Sequence, residues 1–152
     1  FYLFKHVDFY KEGELIMSTE CIFMREDLEE QLRQRFPWLE QRNSENGDAS
    51  AEIVFCPVGV GWFNLLSDMF EEIETLYKSL NEPLENISFY EIKEKYGGLR
   101  VDMNHTVKGL SEILNKYEDL SFQVCERCGE IGKLREDRAW QVVLCDECDT
   151  QG

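Results

Sequence analysis

Residues 124–148 read VCERCGEIGKLREDRAWQVVLCDEC, which places Cys125-x-x-Cys128 sixteen residues before Cys145-x-x-Cys148. A Cys-x-x-Cys pair delivers two thiolates from one tight turn, and the amides of that turn donate to the sulfurs. Gly129, just after the first pair, relaxes the backbone where such a knuckle turns back. Two pairs at this separation leave room for one short hairpin and fall within the spacing of four-cysteine zinc sites. Cys125, Cys128, Cys145 and Cys148 are therefore expected to hold one structural Zn²⁺. Leu134, Trp140, Val142 and Leu144 of the intervening hairpin are expected to pack on the rest of the chain. Four cysteines close a tetrahedral shell, whereas a catalytic zinc keeps one position open for water. A redox dithiol needs a thioredoxin-like βαβ setting, and none is apparent here.

Upstream, periodicity separates helices from strands. Leu28, Leu32 and Phe36 recur at helical spacing until Pro37 stops the run. Leu65, Leu66, Met69, Phe70, Ile73, Leu76, Tyr77 and Leu80 form an apolar stripe along a helix over 62–80, with Asp68, Glu71, Glu72 and Thr75 opposite. A third helix is expected over 107–120, with Thr106 as its N-cap. Between the last two, ISFYEIKEKYGGLRVDMN (87–104) reads as a β-hairpin turning at Gly97-Gly98. Ile53–Cys56 reads as a short strand and 40–50 as a polar loop. The Gly59-Val60-Gly61 turn lacks the third glycine and the Lys-Ser/Thr of a phosphate loop, so it reads as a connection. Together these give an α+β domain: about three helices on a small antiparallel hairpin, closed by a zinc-ribbon or treble-clef-like knuckle. Residues 25–121 form the core and 122–152 the knuckle; 1–24 are an N-terminal segment, with Met17 expected as the natural start.

The 152 residues carry 16 basic and 31 acidic side chains, a net charge of −15. The excess is spread evenly, with −5 in each of 1–50, 51–100 and 101–152. Such a surface disfavours phosphate backbones and anionic lipid, and it reads either as a solubilising surface or as one that meets a basic partner. Glu26, Asp27, Glu29 and Glu30 on the first helix, with Asp68, Glu71, Glu72 and Glu74 on the second, are the candidate acidic partner surface. Lys93, Lys95 and Arg100, beside Tyr96, Gly97 and Gly98, are the candidate anion or partner contact. The simpler reading of that segment, a turn whose cations neutralise neighbouring glutamates, is preferred. In the knuckle Arg127, Lys133, Arg135 and Arg138 are outnumbered by Glu126, Glu130, Glu136, Asp137, Asp146, Glu147 and Asp149. It is therefore not expected to present the basic face of a nucleic-acid-binding ribbon; a local contact through those four cations is the lesser reading. Cys21 and Cys56 remain over; with His6 and His105 they show no ligand spacing. Only two histidines exist, neither in a catalytic motif, so no enzyme activity is expected. The N-terminus lacks the pattern of a secretory signal, and no apolar run reaches the roughly 18 residues of a membrane span.

Four segments taken together, REDLEEQLRQRFPWL (25–39), CPVGVGWFNLLSDMFEEIE (56–74), IKEKYGGLR (92–100) and CERCGEIGKLRE…WQVVLCDEC (125–148), resemble a group of small proteins encoded by phages, prophages and proteobacteria. In that group the last ligand position is sometimes His; here it is Cys148. The resemblance carries no catalytic role. It implies a bacterial host cytosol and action by binding a host protein. One such target is a nucleic-acid-handling or CRISPR-like defence complex, engaged by nucleic-acid mimicry. A nucleic-acid-binding regulator using the zinc hairpin and Lys93–Arg100 is the alternative.

Overall fold

The structure is a computed structural model that describes residues 10–11, 14–15, 26–40 and 58–150. Of the loop expected at 40–50, Glu40 ends a 3₁₀ turn; residues 41–50, the strand at Ile53–Cys56, Met17, His6, Cys21 and Cys56 lie outside the described residues. A short antiparallel pair, β1 (Tyr10–Lys11) and β2 (Glu14–Leu15), precedes α1 (Glu26–Arg35). After the 3₁₀ turn Pro37–Glu40 come α2 (Phe63–Ser79), β3 (Phe89–Lys95), β4 (Gly98–Met103) and α3 (Leu110–Ser121). The C-terminal part adds β5 (Lys133–Arg135), β6 (Val142–Leu144) and the single-turn α4 (Asp146–Thr150). The architecture is α+β: helices packed on small antiparallel hairpins, with a cysteine knuckle at the C-terminal end.

Helix α2 is the centre of the core because its stripe is apolar on every turn. Leu65, Leu66, Met69, Phe70, Ile73 and Tyr77 are buried, as are Leu28, Leu32 and Phe36 of α1. Leu80, counted in the same stripe, falls just past the helix and is exposed. Where α1, the Pro37 turn, α2 and β3 meet, Phe36, Trp38, Phe70 and Phe89 form an aromatic cluster with centroids 5.3–6.0 Å apart. Edge-to-face pairs such as Trp38–Phe70 add to the area they bury. Arg35 crosses from α1 to α2, donating to Ser67 Oγ at 2.5 Å and to Glu71 at 2.7 Å.

Two boundaries differ from the sequence reading. The β3–β4 register pairs Lys95 with Gly98, so the two-residue turn is Tyr96-Gly97 and not Gly97-Gly98. Tyr96 has φ 52° and Gly97 φ 85°. Positive φ at both central positions is the turn geometry whose twist suits a hairpin. Gly98 lies in the strand, where the Phe122 ring occupies the space a Cβ would need. Helix α3 starts at Leu110, three residues later than expected. Its N-cap is Gly109 at φ 94°, a left-handed position that glycine takes without strain, and Thr106 does not cap it.

A buried hydroxyl then joins α3 to the hairpin. Ser121 is inaccessible; its Oγ accepts from the Leu99 amide at 2.8 Å and donates to the Glu118 carbonyl at 2.5 Å.

Candidate metal centre

The first cysteine pair sits on a tight turn after α3. The Gly129 amide donates to the Cys125 carbonyl at 2.9 Å and the Cys125 amide to the Glu130 carbonyl at 2.7 Å. Gly129 supplies the left-handed residue of that turn, at φ 81°. The chain returns through the Val124–Ile131 bridge, and β5 pairs with β6 in register Leu134–Val143. The second pair differs from the first, because Cys145 immediately precedes α4 and Cys148 lies within it. One knuckle, one hairpin and one helical turn make the arrangement treble-clef-like, with a single knuckle where a zinc ribbon has two.

All four sulfurs lie within 4.8 Å of one another, and none is in a disulfide. Cys128 Sγ and Cys145 Sγ are 3.6 Å apart. A tetrahedron with metal–sulfur bonds of about 2.3 Å has edges of roughly 3.8 Å, so an ion fits with small side-chain adjustments. The protein supplies donors to the sulfurs as well: the Cys148 amide reaches Cys145 Sγ at 3.4 Å, and the Glu130 amide supports Cys128. Burial works against the Cys145 thiolate, yet the donors around it, the Cys148 amide first, hold its pKa below the ordinary value. Burial pushes the Cys128 thiol up to about 12, and Cys148 is raised as well, again chiefly by burial. Four thiols packed this closely ionise together only with a cation among them, which is the behaviour of a metal site.

The site is fastened to the core by residues outside the cysteine pattern. Gly61 donates its amide to the Glu126 carbonyl at 2.8 Å, and the Trp62 indole donates to the Val124 carbonyl at 3.0 Å. The Glu126 amide in turn donates to Val143 at 2.9 Å. The Glu126 side chain is itself buried and accepts from the Gly59 amide at 3.2 Å. Burial, reinforced by the charge of Glu94, pushes its carboxyl up to about 7. Gly59-Val60-Gly61, which has the sequence of a plain connection, is thus the contact surface for the knuckle, and Glu126 is part of that contact. The surviving signal was the second glycine ahead of a buried tryptophan, a place where another backbone approaches closely.

The hairpin's cations are engaged with its own acids. Arg135 reaches the Leu144 carbonyl at 3.0 Å, Asp146 at 2.8 Å and Asp149 at 3.3 Å. Arg138 pairs with Asp149 at 2.7 Å and Asp137 at 3.1 Å, and Lys133 lies 3.7 Å from Asp146. Arg127 donates to the Cys148 carbonyl at 3.1 Å. These contacts hold α4 on the hairpin. Leu144 and Val143 are buried, Leu134 and Val142 half-buried, but Trp140 is 74% exposed and does not pack on the core as expected. It lies in the loop between β5 and β6, beyond the strand register that turns alternate side chains inward.

The other candidate segments divide in the same way. Lys93 pairs with Glu91 at 2.9 Å and Arg100 faces Glu118 at 3.7 Å. Glu94 accepts from the Gly97 amide across the turn. Lys95 lies over the Tyr96 ring at 5.6 Å, with no carboxylate within ion-pair distance among the described residues. On the acidic helices, Glu71 meets Arg35, Glu72 meets Lys116 at 2.5 Å, and Glu74 accepts from the Trp38 indole at 2.7 Å and Lys78 at 2.6 Å. Glu29 and Glu30 flank Arg33 at 3.6 and 3.9 Å. Asp27 is exposed, and the Glu26 side chain lies outside the described residues. Asp68 has its carboxyl raised, by burial first and then by the charges of Glu71 and Glu72. Asp68, Glu71 and Glu72 line a cleft of about 590 Å³ between α2 and α3, floored by Leu76, Ile113 and Tyr117.

No family model, curated protein or solved structure matches the chain. Among the described residues, no helix is long and apolar enough to cross a membrane.

Proposed function

We propose that this is a zinc-stabilised protein that acts by binding a basic partner protein, with no chemistry of its own. Zn²⁺ is the metal that suits four thiolates in a tetrahedron, and a fully ligated ion is structural. Cys125, Cys128, Cys145 and Cys148 hold it, and its role is to fix the C-terminal hairpin against Gly61 and Trp62. The resemblance to phage and prophage proteins supplies the setting, a bacterial host cytosol. The partner is then a host protein or defence complex whose basic surface ordinarily holds nucleic acid.

The observation that carries the choice of partner is the fate of the hairpin cations. Lys133, Arg135 and Arg138 are taken up by Asp137, Asp146 and Asp149, so little positive charge is left to hold phosphates. A chain at −15 is attracted to a basic protein over distances of about a Debye length. Of the three carboxylates on the rim of the apolar-floored cleft, Glu71 and Glu72 are paired with Arg35 and Lys116, which leaves Asp68 to face a cation.

Two measurements test the reading. Metal analysis of the purified protein is expected to find one zinc per chain, released on titrating four thiols; a metal-free folded protein would refute the zinc assignment. The tagged protein, used as bait in a nuclease-treated bacterial lysate, is expected to retain a host complex that added DNA or RNA displaces. Recovery of nucleic acid alone, lost after nuclease, would instead favour a nucleic-acid-binding regulator.

A further inference from the structure

Among the described residues three aromatic side chains are more than 70% exposed, Tyr90, Tyr96 and Trp140, and the last two lie beside one contact between loops. Tyr96 occupies the first central position of the β3–β4 turn at φ 52°, where asparagine or glycine is relaxed and a bulky residue is strained. Its side chain is 72% exposed, so burial does not offset that strain. Strained residues that the fold does not require concentrate at functional sites. Trp140 is 74% exposed on the β5–β6 loop, whereas Trp38 and Trp62, the other two tryptophans, are buried.

The two loops are fixed to each other. A Cβ on Gly97 would overlap the Leu134 side chain and lie 3.5 Å from the backbone of Gln141 and Val142. Tyr96 and Trp140 each immediately precede a residue at that contact. Phe122, also partly exposed, rests on the neighbouring Gly98. The hairpin is held from below by the cysteine cluster and by Arg135. Large aromatic rings on a rigid platform are what interface hot spots are made of, because little side-chain entropy is lost when they are covered.

Charge selects the partner. On the loop that carries Trp140, Arg138 is paired with Asp137 and Asp149, while Glu136 meets no cation within ion-pair distance among the described residues. On the facing turn Lys95 already lies over the Tyr96 ring at 5.6 Å, so the Trp140 indole is the ring left for a partner's cation. With the whole chain at −15, a phosphate backbone is repelled and a guanidinium is drawn in. Arginine over an indole face is the most favourable cation–π pairing available to a protein partner.

We infer that Tyr96 and Trp140 form a docking platform for an arginine-rich segment of the partner protein, with a guanidinium seated on the Trp140 indole. This rests on the acidic-binder reading and specifies its surface.

The test uses Trp140 as its own reporter, since it is the exposed tryptophan. An oligoarginine peptide at physiological salt is expected to quench and shift its emission, while oligothymidylate leaves it unchanged. Trp140→Ala and Tyr96→Asn, the first read by anisotropy of labelled peptide, are each expected to weaken binding about tenfold, the loss of one hot-spot residue. Tyr96→Asn is also expected to raise the melting temperature by about 2–4 °C, because Asn-Gly suits the turn. Lower affinity with equal or greater stability separates a binding role from a folding role. Equal peptide affinity in wild type and both variants would overturn the platform while leaving the acidic-binder reading in place. Quenching by oligothymidylate and not by oligoarginine would overturn both.

Discussion

The Trp62 indole nitrogen donates to the Val124 carbonyl oxygen at 3.0 Å, joining the start of the central helix to the residue before the first cysteine of the cluster. Trp62 is fully buried, so the bond is made away from water, where an unmade partner is costly. One residue earlier, Gly61 presents its amide to Glu126, and the Cys125 carbonyl fills the place of its absent side chain. The cysteine knuckle and the helical core therefore share one interface, built from backbone on one side and a glycine–tryptophan pair on the other.

Gly61→Ala follows directly from that interface. The added methyl would overlap Cys125 and sit 2.7 Å from the Glu126 carbonyl, both backbone groups with little room to yield. We expect a destabilisation of about 1–3 kcal/mol, the usual cost of overpacking a tight contact. Urea denaturation gives the value, and zinc should leave the variant faster when challenged with a chelator. An unchanged midpoint and release rate would show that the two parts are not coupled here.

Removing the metal is expected to unfold the C-terminal hairpin and spare the aromatic cluster around Phe70, because site formation and local folding share one free energy. Cys125→Ser should have the same effect. Hydrogen exchange resolves the two regions: amides of 124–148 lose protection and those of α2 keep it. Acid should act like a chelator, since protons compete for the thiolates, so zinc is lost as pH falls. Full zinc content in Cys125→Ser would contradict the site.

Glu74 gives a pH dependence whose sign can be worked out. Burial raises its pKa, but hydrogen bonds from Lys78 and the Trp38 indole outweigh this and hold the carboxyl below its ordinary value of 4.5. A group whose folded pKa is depressed stabilises the protein above its unfolded pKa, and the benefit is lost as pH falls through the folded value. Glu74→Gln should therefore cost up to about 1 kcal/mol at neutral pH, discounted for partial exposure, and nothing at strongly acidic pH. Melting curves of both proteins from pH 7 down to pH 3 should converge; a constant gap would assign the loss to packing.

Ser121→Ala tests the joint between α3 and β4. It removes the oxygen that accepts from the Leu99 amide at 2.8 Å, in a place closed to water. An orphaned buried donor costs about 1–3 kcal/mol. A denaturation midpoint within error of wild type would show that the amide has found another partner.

The parts of this fold that were legible in the sequence are those set by periodicity. Leu28, Leu32 and Phe36, and the stripe from Leu65 to Tyr77, stand at helical spacing and are buried. The four cysteines were legible because their spacing is chemical: it is what a tetrahedron of sulfurs demands. The misread positions depend on contacts between distant segments. Either Tyr96-Gly97 or Gly97-Gly98 can close a hairpin; the choice falls to the former because Gly98 lies under Phe122. Thr106 has the chemistry of a cap, but a glycine in left-handed geometry three residues on sets the helix start. Trp140 is apolar enough for a core, and nothing local says that its loop faces solvent. The acidic stretches read as open rows of charge, yet Arg35, Lys78 and Lys116 lie against them from other turns and other helices.

The shared interface also imposes an order of events on a growing chain. Trp62 and Gly61 are synthesised long before Val124 and Glu126, and Cys148 emerges later still. During translation the start of the central helix must wait with its indole and amide unmatched, leaning on water or on transient neighbours. Its final bonds form only after Val124 and Glu126 have been made and the four cysteines can come together. On the proposed zinc assignment, the supply of metal in the cell would decide when the protein finishes maturing, and a shortage would leave chains with a complete core and an unfinished surface.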